Sequence, residues 1–215
     1  MSDPQTPPPG RAYAILTPGE KFGDFQILQC LSYDLLGSLY HVRKTKEKEE
    51  CCLFTLPPLV GRDDSFSRRF TEHSSRLFQL SHENILGFTS SDLIKNRYVL
   101  FCEDFDGQNL TEYLDNYAKR QTAEQSLPIE RTSESADDLL ADTQIGLPAS
   151  EVKGIVLQVL AALSHAHKSQ VRHLNLNPTN ILRNEDGSIR VAGFGIMEMA
   201  GKELFESIVS AGIPP

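Results

Sequence analysis

The residues between 171 and 195 have the types and spacing of a phosphoryl-transfer site from which the charged groups are missing. The stretch is VRHLNLNPTNILRNEDGSIRVAGFG. Phosphoryl transfer depends on positioning and charge stabilisation, so such a site needs a carboxylate base, a lysine and a carboxylate for Mg²⁺. The corresponding positions here hold Asn175, Asn177 and Gly193. Because an amide is not a general base at neutral pH, we expect no catalysis from this stretch.

The composition is that of an ordinary globular protein. The 215 residues are 40% hydrophobic and 23% charged, which is enough apolar material for one domain or a two-lobed domain. The formal net charge of −8 argues against a nucleic-acid partner, since neutralising phosphates requires clustered Lys and Arg. The chain starts without the apolar core of a signal peptide, and no run approaches the roughly 18 apolar residues of a membrane span.

The cysteines lie in apolar, strand-like runs and do not form a C-x-x-C motif. They are Cys30, Cys51, Cys52 and Cys102. We expect buried free thiols in a reducing compartment rather than disulfides or a metal site. Together with the missing membrane segment, this pattern predicts a soluble, cytoplasmic chain.

The predicted elements are an antiparallel group of strands carrying one helix, followed by a helical part. Residues 1–20 are rich in Pro and Gly and are predicted to be a disordered lead-in, with a ligand for proline-recognition domains as the less favoured alternative. A helix is predicted over 65–80. Five strands are predicted, at 25–28, 38–42, 51–56, 85–88 and 98–105.

Further helices are predicted over 109–120 and 149–169, followed by a hairpin around the turn EDG. Ser150 is the expected N-cap of the longer helix. Residues 121–146 are acidic and rich in Ser and Thr, which predicts a disordered insert; a partner-binding or phosphorylated segment is the less favoured alternative. One apolar stripe of the longer helix is expected to face the core: Val152, Ile155, Val156, Val159, Leu160 and Leu163.

This order, with the motif H-x-N-L-N-P-x-N-I-L, a short hairpin and G-F-G, resembles the eukaryotic-type protein kinase family and its bacterial Ser/Thr members. The resemblance extends from about Phe22 to the end of the chain. It implies an α+β, two-lobed fold, with a five-stranded antiparallel N-lobe and one helix at 21–104 and an incomplete helical C-lobe at 105–215. SAGIPP resembles the segment that precedes A-P-E in this family, so we expect the chain to be part of a longer protein.

The N-lobe positions that handle phosphate in this family are replaced. LSYDLLGSLY corresponds to the glycine-rich loop, in which only Gly37 survives, while Ser32 and Asp34 occupy the other glycine positions. A Cβ there blocks backbone approach to phosphates, and the Asp34 carboxylate would repel them. Phe54 stands where the family has the lysine that binds the α and β phosphates. His73 stands where the next helix supplies the glutamate partner of that lysine.

The catalytic-loop positions are replaced in the same way. The resemblance places Asn175 at the aspartate that orients the substrate hydroxyl, and Asn177 at the loop lysine. Leu174 replaces the arginine that responds to activation-loop phosphorylation. Gly193 replaces the magnesium-binding aspartate of D-F-G. Asn180 is kept, but an asparagine carbonyl alone is a weak anchor for Mg²⁺.

The positions that pack the fold are kept. The resemblance assigns four residues to the hydrophobic spine that links the lobes: Leu77, Phe88, His173 and Phe194. It assigns eight residues to the nucleotide pocket: Leu31, Gly37, Leu39, Cys52, Cys102, Glu103, Phe105 and Leu182. A chain that keeps its packing residues and loses five ionisable groups is expected to be a pseudokinase.

Two interpretations stay open for several residues. Phe54 either fills the nucleotide pocket or packs in the strand core, and neither is favoured. His73 could be pH-sensitive, although a solvated or satisfied histidine is favoured. His165, His167 and His173 could suggest a metal site, but a helix end plus a spine residue is favoured because no Cys, Asp or Glu completes the ligand set.

We therefore expect a catalytically inactive domain that acts as a scaffold or allosteric regulator of a protein partner, either an active kinase or another signalling protein. No cofactor is expected: Mg²⁺ is disfavoured, with Asn180 as its only candidate ligand, whereas ATP binding stays open. The alternatives are a divergent, active ATP-dependent serine/threonine kinase and an ATP binder without phosphotransfer.

Overall fold

The computed structural model describes residues 15–58, 64–125 and 146–212. Residues 1–14 of the predicted lead-in and residues 126–145 of the predicted insert lie outside the described residues. Within the described ranges, no helix combines the length and the apolar character that crossing a membrane requires.

The first part of the chain is a six-stranded antiparallel sheet with one helix. The five predicted strands are extended by the short β1, whose Lys21 and Phe22 pair with Gln26 and Phe25. The order in the sheet is β1-β2-β3-β4-β6-β5. The elements are β1 (Lys21–Phe22), β2 (Phe25–Tyr33), β3 (Ser38–Lys44), β4 (Glu50–Thr55), α1 (Asp64–Phe78), β5 (Phe88–Ile94) and β6 (Arg97–Cys102).

The strand predicted at 85–88 is wrong in position, because β5 begins where that prediction ends. Ile85 instead forms a bridge with Val191, and the Leu86 N–H donates to the Val191 carbonyl. The apolar run at 85–88 therefore ties the N-lobe sheet to the second part of the fold. β5 itself has the sequence FTSSDLI, in which Phe88 alone is buried, so it lacks the alternation that marks a strand.

The second part of the chain is mainly helical and carries a small three-stranded sheet. Its elements are β7 (Gln108–Asn109), α2 (Leu110–Gln125), α3 (Ala149–Lys168), a 3₁₀ turn (Pro178–Asn180), β8 (Ile181–Arg183), β9 (Ile189–Val191) and α4 (Ile196–Gly212). The strands of the small sheet lie in the order β7-β8-β9. Helix α4, after G-F-G, was not predicted from the sequence, and a non-helical Gly201 with φ 72° interrupts it. Since α2 continues to Gln125, the start of the insert predicted at 121 is too early.

Helix α3 has the predicted length but buries a narrower face. Its N-cap is Pro148 in an extended conformation, so Ser150 lies inside the helix and is not the cap. Ile155 and Val159 of the predicted stripe are buried, and Ala162 and Ala166 continue that face. The described residues leave the other side of the stripe uncovered: Val152 is 43% exposed, Val156 47% and Leu160 53%.

The core has two clusters because the N-lobe sheet is buried on both faces. The smaller cluster contains Ile27, Tyr40 and Val42 on the outer face of the sheet. The larger cluster continues without interruption from the inner face, including Leu39 and Phe54, to α3 and the small sheet. Successive strand residues point to opposite faces, so neighbours such as Leu39 and Tyr40 enter different clusters. The inner face forms the roof of a cleft between the two lobes.

A matched pair of substitutions on α3 tests which face stabilises the fold. Val159 is 8% exposed and Val156 47% exposed. We expect Val159→Ala to lower the free energy of unfolding by about 1.5–3 kcal/mol, because buried methyl groups are lost. Val156→Ala should stay within about 0.5 kcal/mol of wild type. Chemical denaturation of both variants measures the difference, and equal losses would contradict the assigned core face.

Candidate nucleotide cleft

Two of the predicted spine residues are in contact at the floor of the cleft. The rings of His173 and Phe194 meet edge to face with centroids 4.8 Å apart. His173 Nε2 is also hydrogen-bonded to the carbonyl of Ala192 at 2.8 Å. Leu77 of α1 packs against Gly195, the residue after Phe194, so closely that a side chain at Gly195 would collide with it. Helix α1 of the N-lobe therefore packs directly on the segment that carries Phe194, which forms the floor of the cleft.

Burial lowers the pKa of His173, so the imidazole is stabilised in its neutral form. Within the described part of the chain, His173 is not grouped with His165 and His167, and its Nε2 is hydrogen-bonded to the Ala192 carbonyl. His165 contacts His82, with ring centroids 4.9 Å apart. His167 lines a separate cavity beside α1.

Phe54, on the sheet that forms the roof of the cleft, packs against Phe88, the fourth predicted spine residue. Its ring meets Phe88 nearly at a right angle, with centroids 6.1 Å apart. A Cβ placed on Gly37 would lie 2.5 Å from the same ring, so Phe54 fills the space directly below the surviving glycine. Phe54 is only 5% exposed. These contacts agree with the interpretation that Phe54 packs in the strand core, whereas its filling of the nucleotide pocket stays a prediction.

The turn between β2 and β3 is held by the carboxylate of Asp34. Asp34 Oδ1 accepts hydrogen bonds from the backbone N–H groups of Leu36, at 2.8 Å, and Gly37, at 3.1 Å. Asp34 Oδ2 accepts from Asn175 Nδ2 at 2.6 Å and, more weakly, from Asn180 Nδ2 at 3.3 Å. One carboxylate thus joins the loop of the N-lobe to the catalytic-loop positions of the C-lobe.

From the sequence, Asp34 was interpreted only as a charge that would repel phosphate, so this interaction was missed. A signal was present in the sequence, because an unexpected carboxylate in one loop is accompanied by an unexpected amide, Asn175, in the other. A carboxylate removed from water requires donors, and Asn175 and Asn180 provide them. An aspartate at position 175 would instead bring a second negative charge to Asp34.

The catalytic-loop asparagines are engaged with one another as well as with Asp34. Asn180 is 4% exposed, and its Nδ2 also donates to the Asn175 carbonyl at 2.9 Å. Asn177 Nδ2 donates to the same carbonyl at 3.0 Å. Asn177 Oδ1 accepts from the Thr179 N–H at 2.9 Å and caps the 3₁₀ turn. These amides order the loop, and two of them, Asn175 and Asn177, stand at positions where the family carries charge.

The walls assigned to the nucleotide pocket are packed against each other across the cleft. Asn109 Nδ2 donates to the Leu31 carbonyl at 2.8 Å, and the Cys52 thiol contacts the Phe105 carbonyl at 3.5 Å. Glu103 is exposed and forms an ion pair with Arg190. Burial raises the pKa of the Cys52 thiol to about 12. The remaining walls are at most 6% exposed: Leu31, Leu39, Cys52, Cys102, Phe105 and Leu182.

The other two replaced positions, His73 and Gly193, lie close to the contact between α1 and α4. Arg69 of α1 donates from Nε to the Met199 carbonyl and from Nη2 to the Ala200 carbonyl, both at 2.8 Å, which docks α4 on α1. His73 lies one turn further along α1 and lines a cavity of about 510 Å³ with residues that include Arg172. Gly193 has a φ of 86°, a conformation that costs a side chain about 1–2 kcal/mol.

Comparison with known proteins agrees with this geometry. The profile of the family described as protein kinase domain matches residues 36–211. The serine/threonine-protein kinase PrkC of Bacillus subtilis is 25% identical over 174 residues, which cover 81% of this chain and 23% of PrkC. The serine/threonine-protein kinase PknI of Mycobacterium tuberculosis is 28% identical over 187 residues, which cover 84% of this chain and 27% of PknI.

Solved structures show the same fold. The crystal structure of the Mycobacterium tuberculosis PknI kinase domain superposes with a TM-score of 0.57 at 24% identity, covering 85% of this chain and 64% of that domain. The architecture is thus that of a two-lobed domain with a cleft between a curled sheet and a helical part. The chain belongs to the protein kinase domain family, and its curated relatives confirm the expected similarity to bacterial Ser/Thr kinases. It spans about a quarter of the length of those relatives.

A double-mutant cycle tests the bond between the lobes. We expect Asp34→Ala and Asn175→Ala to show a coupling energy of about 1–2 kcal/mol, because hydrogen bonds to a charged group are stronger than neutral ones. The measurement is the free energy of unfolding of the wild type, the two single variants and the double variant. Asp34→Ala combined with Asn116→Ala is the control pair and should be additive within about 0.5 kcal/mol. Additivity of the first pair would show that the two side chains do not interact.

The lowered pKa of His173 predicts a pH-dependent part of the stability. In the unfolded chain this imidazole titrates near its ordinary pKa of about 6.5. As the pH falls below that value, the unfolded state takes up a proton before the folded state does, so stability present above the unfolded pKa is lost. His173→Phe keeps the ring contact with Phe194 and removes the titration. We expect the stability advantage of wild type over this variant to shrink as the pH falls from about 7.5 to about 5. A difference that is independent of pH would contradict the assignment.

Proposed function

We propose that this chain is a pseudokinase domain, which keeps the kinase fold, does not transfer phosphate and acts as a scaffold or allosteric regulator of a protein partner. The observation that carries the proposal is the hydrogen bonding of Asp34 to Asn175 and Asn180. In this family those loops enclose the phosphates and the metal ion, whereas here they bind each other.

The chemistry of the replaced positions supports the absence of phosphoryl transfer. A kinase orients the substrate hydroxyl with an aspartate and neutralises developing charge with lysine and Mg²⁺. Asn175, Phe54 and Gly193 provide neither a base, a fixed cation nor a metal carboxylate. Removing a single electrostatic element of this kind costs about 10²–10³ in rate. The combined replacements leave the site without its main source of catalysis.

The packing of the cleft supports weak or absent binding of ATP·Mg²⁺. A nucleotide in the usual pose would have to separate Leu31 from Asn109 and displace Asp34 from the catalytic loop. Its phosphates would also approach the Asp34 carboxylate, and no lysine at position 54 would offset the repulsion. The side-chain amide of Asn180 is already engaged by protein groups.

The surface around the closed loops supports a role in protein binding. The residues on either side of Asp34 and of Asn175 are apolar and exposed, with Leu174 at 57% and Leu176 at 41%. Leu174 is also held at a φ of 57°, which is uncommon for a side chain of this size. Apolar side chains grouped at the mouth of a cleft are typical of surfaces that contact another protein.

The second candidate function is a divergent, active serine/threonine kinase, which is favoured by the names of the curated relatives. A third is ATP binding without transfer. The three differ in their response to nucleotide and metal. A kinase requires Mg²⁺ and incorporates phosphate, a simple binder is stabilised without phosphate incorporation, and a closed pseudokinase responds to neither.

A thermal-shift titration of the chain with ATP, with and without Mg²⁺, tests the proposal, followed by an assay with ATP labelled in the γ-phosphate. A ligand with a Kd of about 100 µM would stabilise the fold by about 1.4 kcal/mol at about 1 mM. We expect no Mg²⁺-dependent shift of that size and no incorporated label. Stabilisation by Mg²⁺ and ATP with phosphate incorporation, both lost in Asn180→Ala, would overturn the proposal in favour of an active kinase. Stabilisation by ATP without incorporation would support the binder.

A further inference from the structure

Three side chains with metal-binding atoms meet at the edge of the N-lobe, away from the bonded loops of Asp34. His41 lies on β3, Glu50 begins β4, and Asp104 follows β6. His41 Nε2 lies 3.2 Å from Glu50 Oε2 and 3.0 Å from Asp104 Oδ1. All three candidate ligand atoms lie within 4.8 Å of one another.

The histidine nitrogen at this point is buried and lacks a hydrogen bond. His41 is 8% exposed, and its Nε2 has no hydrogen-bond partner among the described residues. The two carboxylate oxygens are near it but lie off the axis along which its N–H would donate. A buried polar atom left in this state costs about 1–3 kcal/mol, so it points to a partner of another kind.

The distances from the His41 nitrogen to the two carboxylate oxygens suit a cation on that axis. For metal–ligand bonds of about 2.05 Å, neighbouring ligand atoms are about 2.9 Å apart in an octahedral shell and about 3.4 Å apart in a tetrahedral one. The separations of 3.0 Å and 3.2 Å fall between these values. When several ligands share one cation, the cation lies on the lone-pair axis of the histidine nitrogen. The other ligand atoms therefore lie to the side of that axis, as the two carboxylate oxygens do here.

The residues around the three side chains also favour a bound cation. Arg43 donates from Nε to Glu50 Oε1 at 2.8 Å, which fixes the carboxylate and leaves Oε2 directed at His41. The two carboxylates, partly offset by the Arg43 guanidinium, leave a net negative charge that attracts a divalent cation. The Asp104 side chain is 53% exposed and provides a route of entry from solvent.

We propose that His41, Glu50 and Asp104 form a three-ligand site for a divalent cation of the zinc type. One imidazole nitrogen with two carboxylate oxygens suits Zn²⁺, whereas Mg²⁺ and Ca²⁺ prefer oxygen ligands throughout. Three protein ligands leave a coordination position for water. The bound ion would cross-link β3 and β4 to the segment that connects the two lobes, and so restrain their relative motion.

Isothermal titration of the EDTA-treated chain with Zn²⁺ tests the site, with Asp104→Asn as the ligand variant and Asp106→Asn as its matched control. Both positions are exposed and lie in the same segment, so neither exchange threatens folding. We expect wild type and Asp106→Asn to bind one equivalent that Asp104→Asn binds at least about tenfold more weakly. Zn²⁺ should raise the unfolding midpoint of the first two proteins by more than that of the third.

The difference between the variants decides the outcome, because histidines elsewhere on the surface also bind Zn²⁺. Equal affinity and stoichiometry in wild type and Asp104→Asn would overturn the proposal. So would an absence of binding to wild type at about 100 µM Zn²⁺. In either case the three side chains form an ion-pair cluster only. Neither result bears on ATP, so the site stands or falls separately from the function of the cleft.

Discussion

The arrangement of the cleft depends on the carboxylate of Asp34, which lies between the lobes and requires hydrogen-bond donors. It takes two from the backbone of its own turn and two from the side-chain amides of Asn175 and Asn180. The shortest of these bonds joins residues 141 positions apart in the sequence. Because the amides can donate and an aspartate could not, the replacement at position 175 and the carboxylate at position 34 are chemically matched. Asn175, which replaces the aspartate, and Asp34, which replaces a glycine, are therefore partners in one hydrogen bond.

Two glycines of this chain, Gly37 and Gly195, leave room for the side chains of other elements. Gly37 leaves room for the ring of Phe54, which in turn meets Phe88 of the spine. Gly195 leaves room for Leu77, so that α1 closes on the segment that carries Phe194. Phe54, which replaces a lysine, and Leu77 are therefore part of the continuous core between the lobes, whereas Leu174, which replaces an arginine, is exposed. A core of this kind stabilises a single arrangement of the two lobes.

The helix after G-F-G completes this arrangement. Arg69 binds the Met199 and Ala200 carbonyls at the point where Gly201 breaks α4, so the cationic side chain satisfies carbonyls that the helix leaves unpaired. His73, on the same side of α1, lines a cavity with Arg172. His73 occupies the helix position that faces the lysine in this family. Here it instead faces Glu198 of α4 and Arg172, which precedes the catalytic loop.

The sequence by itself determined the fold class, most of the strands and helices, and the replacement of the ionisable groups, but it misplaced the strand at 85–88 and missed the helix after G-F-G. These features depend on local periodicity and on motif spacing, which the backbone imposes on each segment separately. The tertiary structure alone decided the features that depend on contacts between distant segments. It showed that Asp34 binds the catalytic loop, that Ile155 and Val159 face the core while Val156 does not, and that His41 meets Asp104. The physical reason is that burial and side-chain direction depend on what packs opposite, and periodicity within one segment carries no record of that partner.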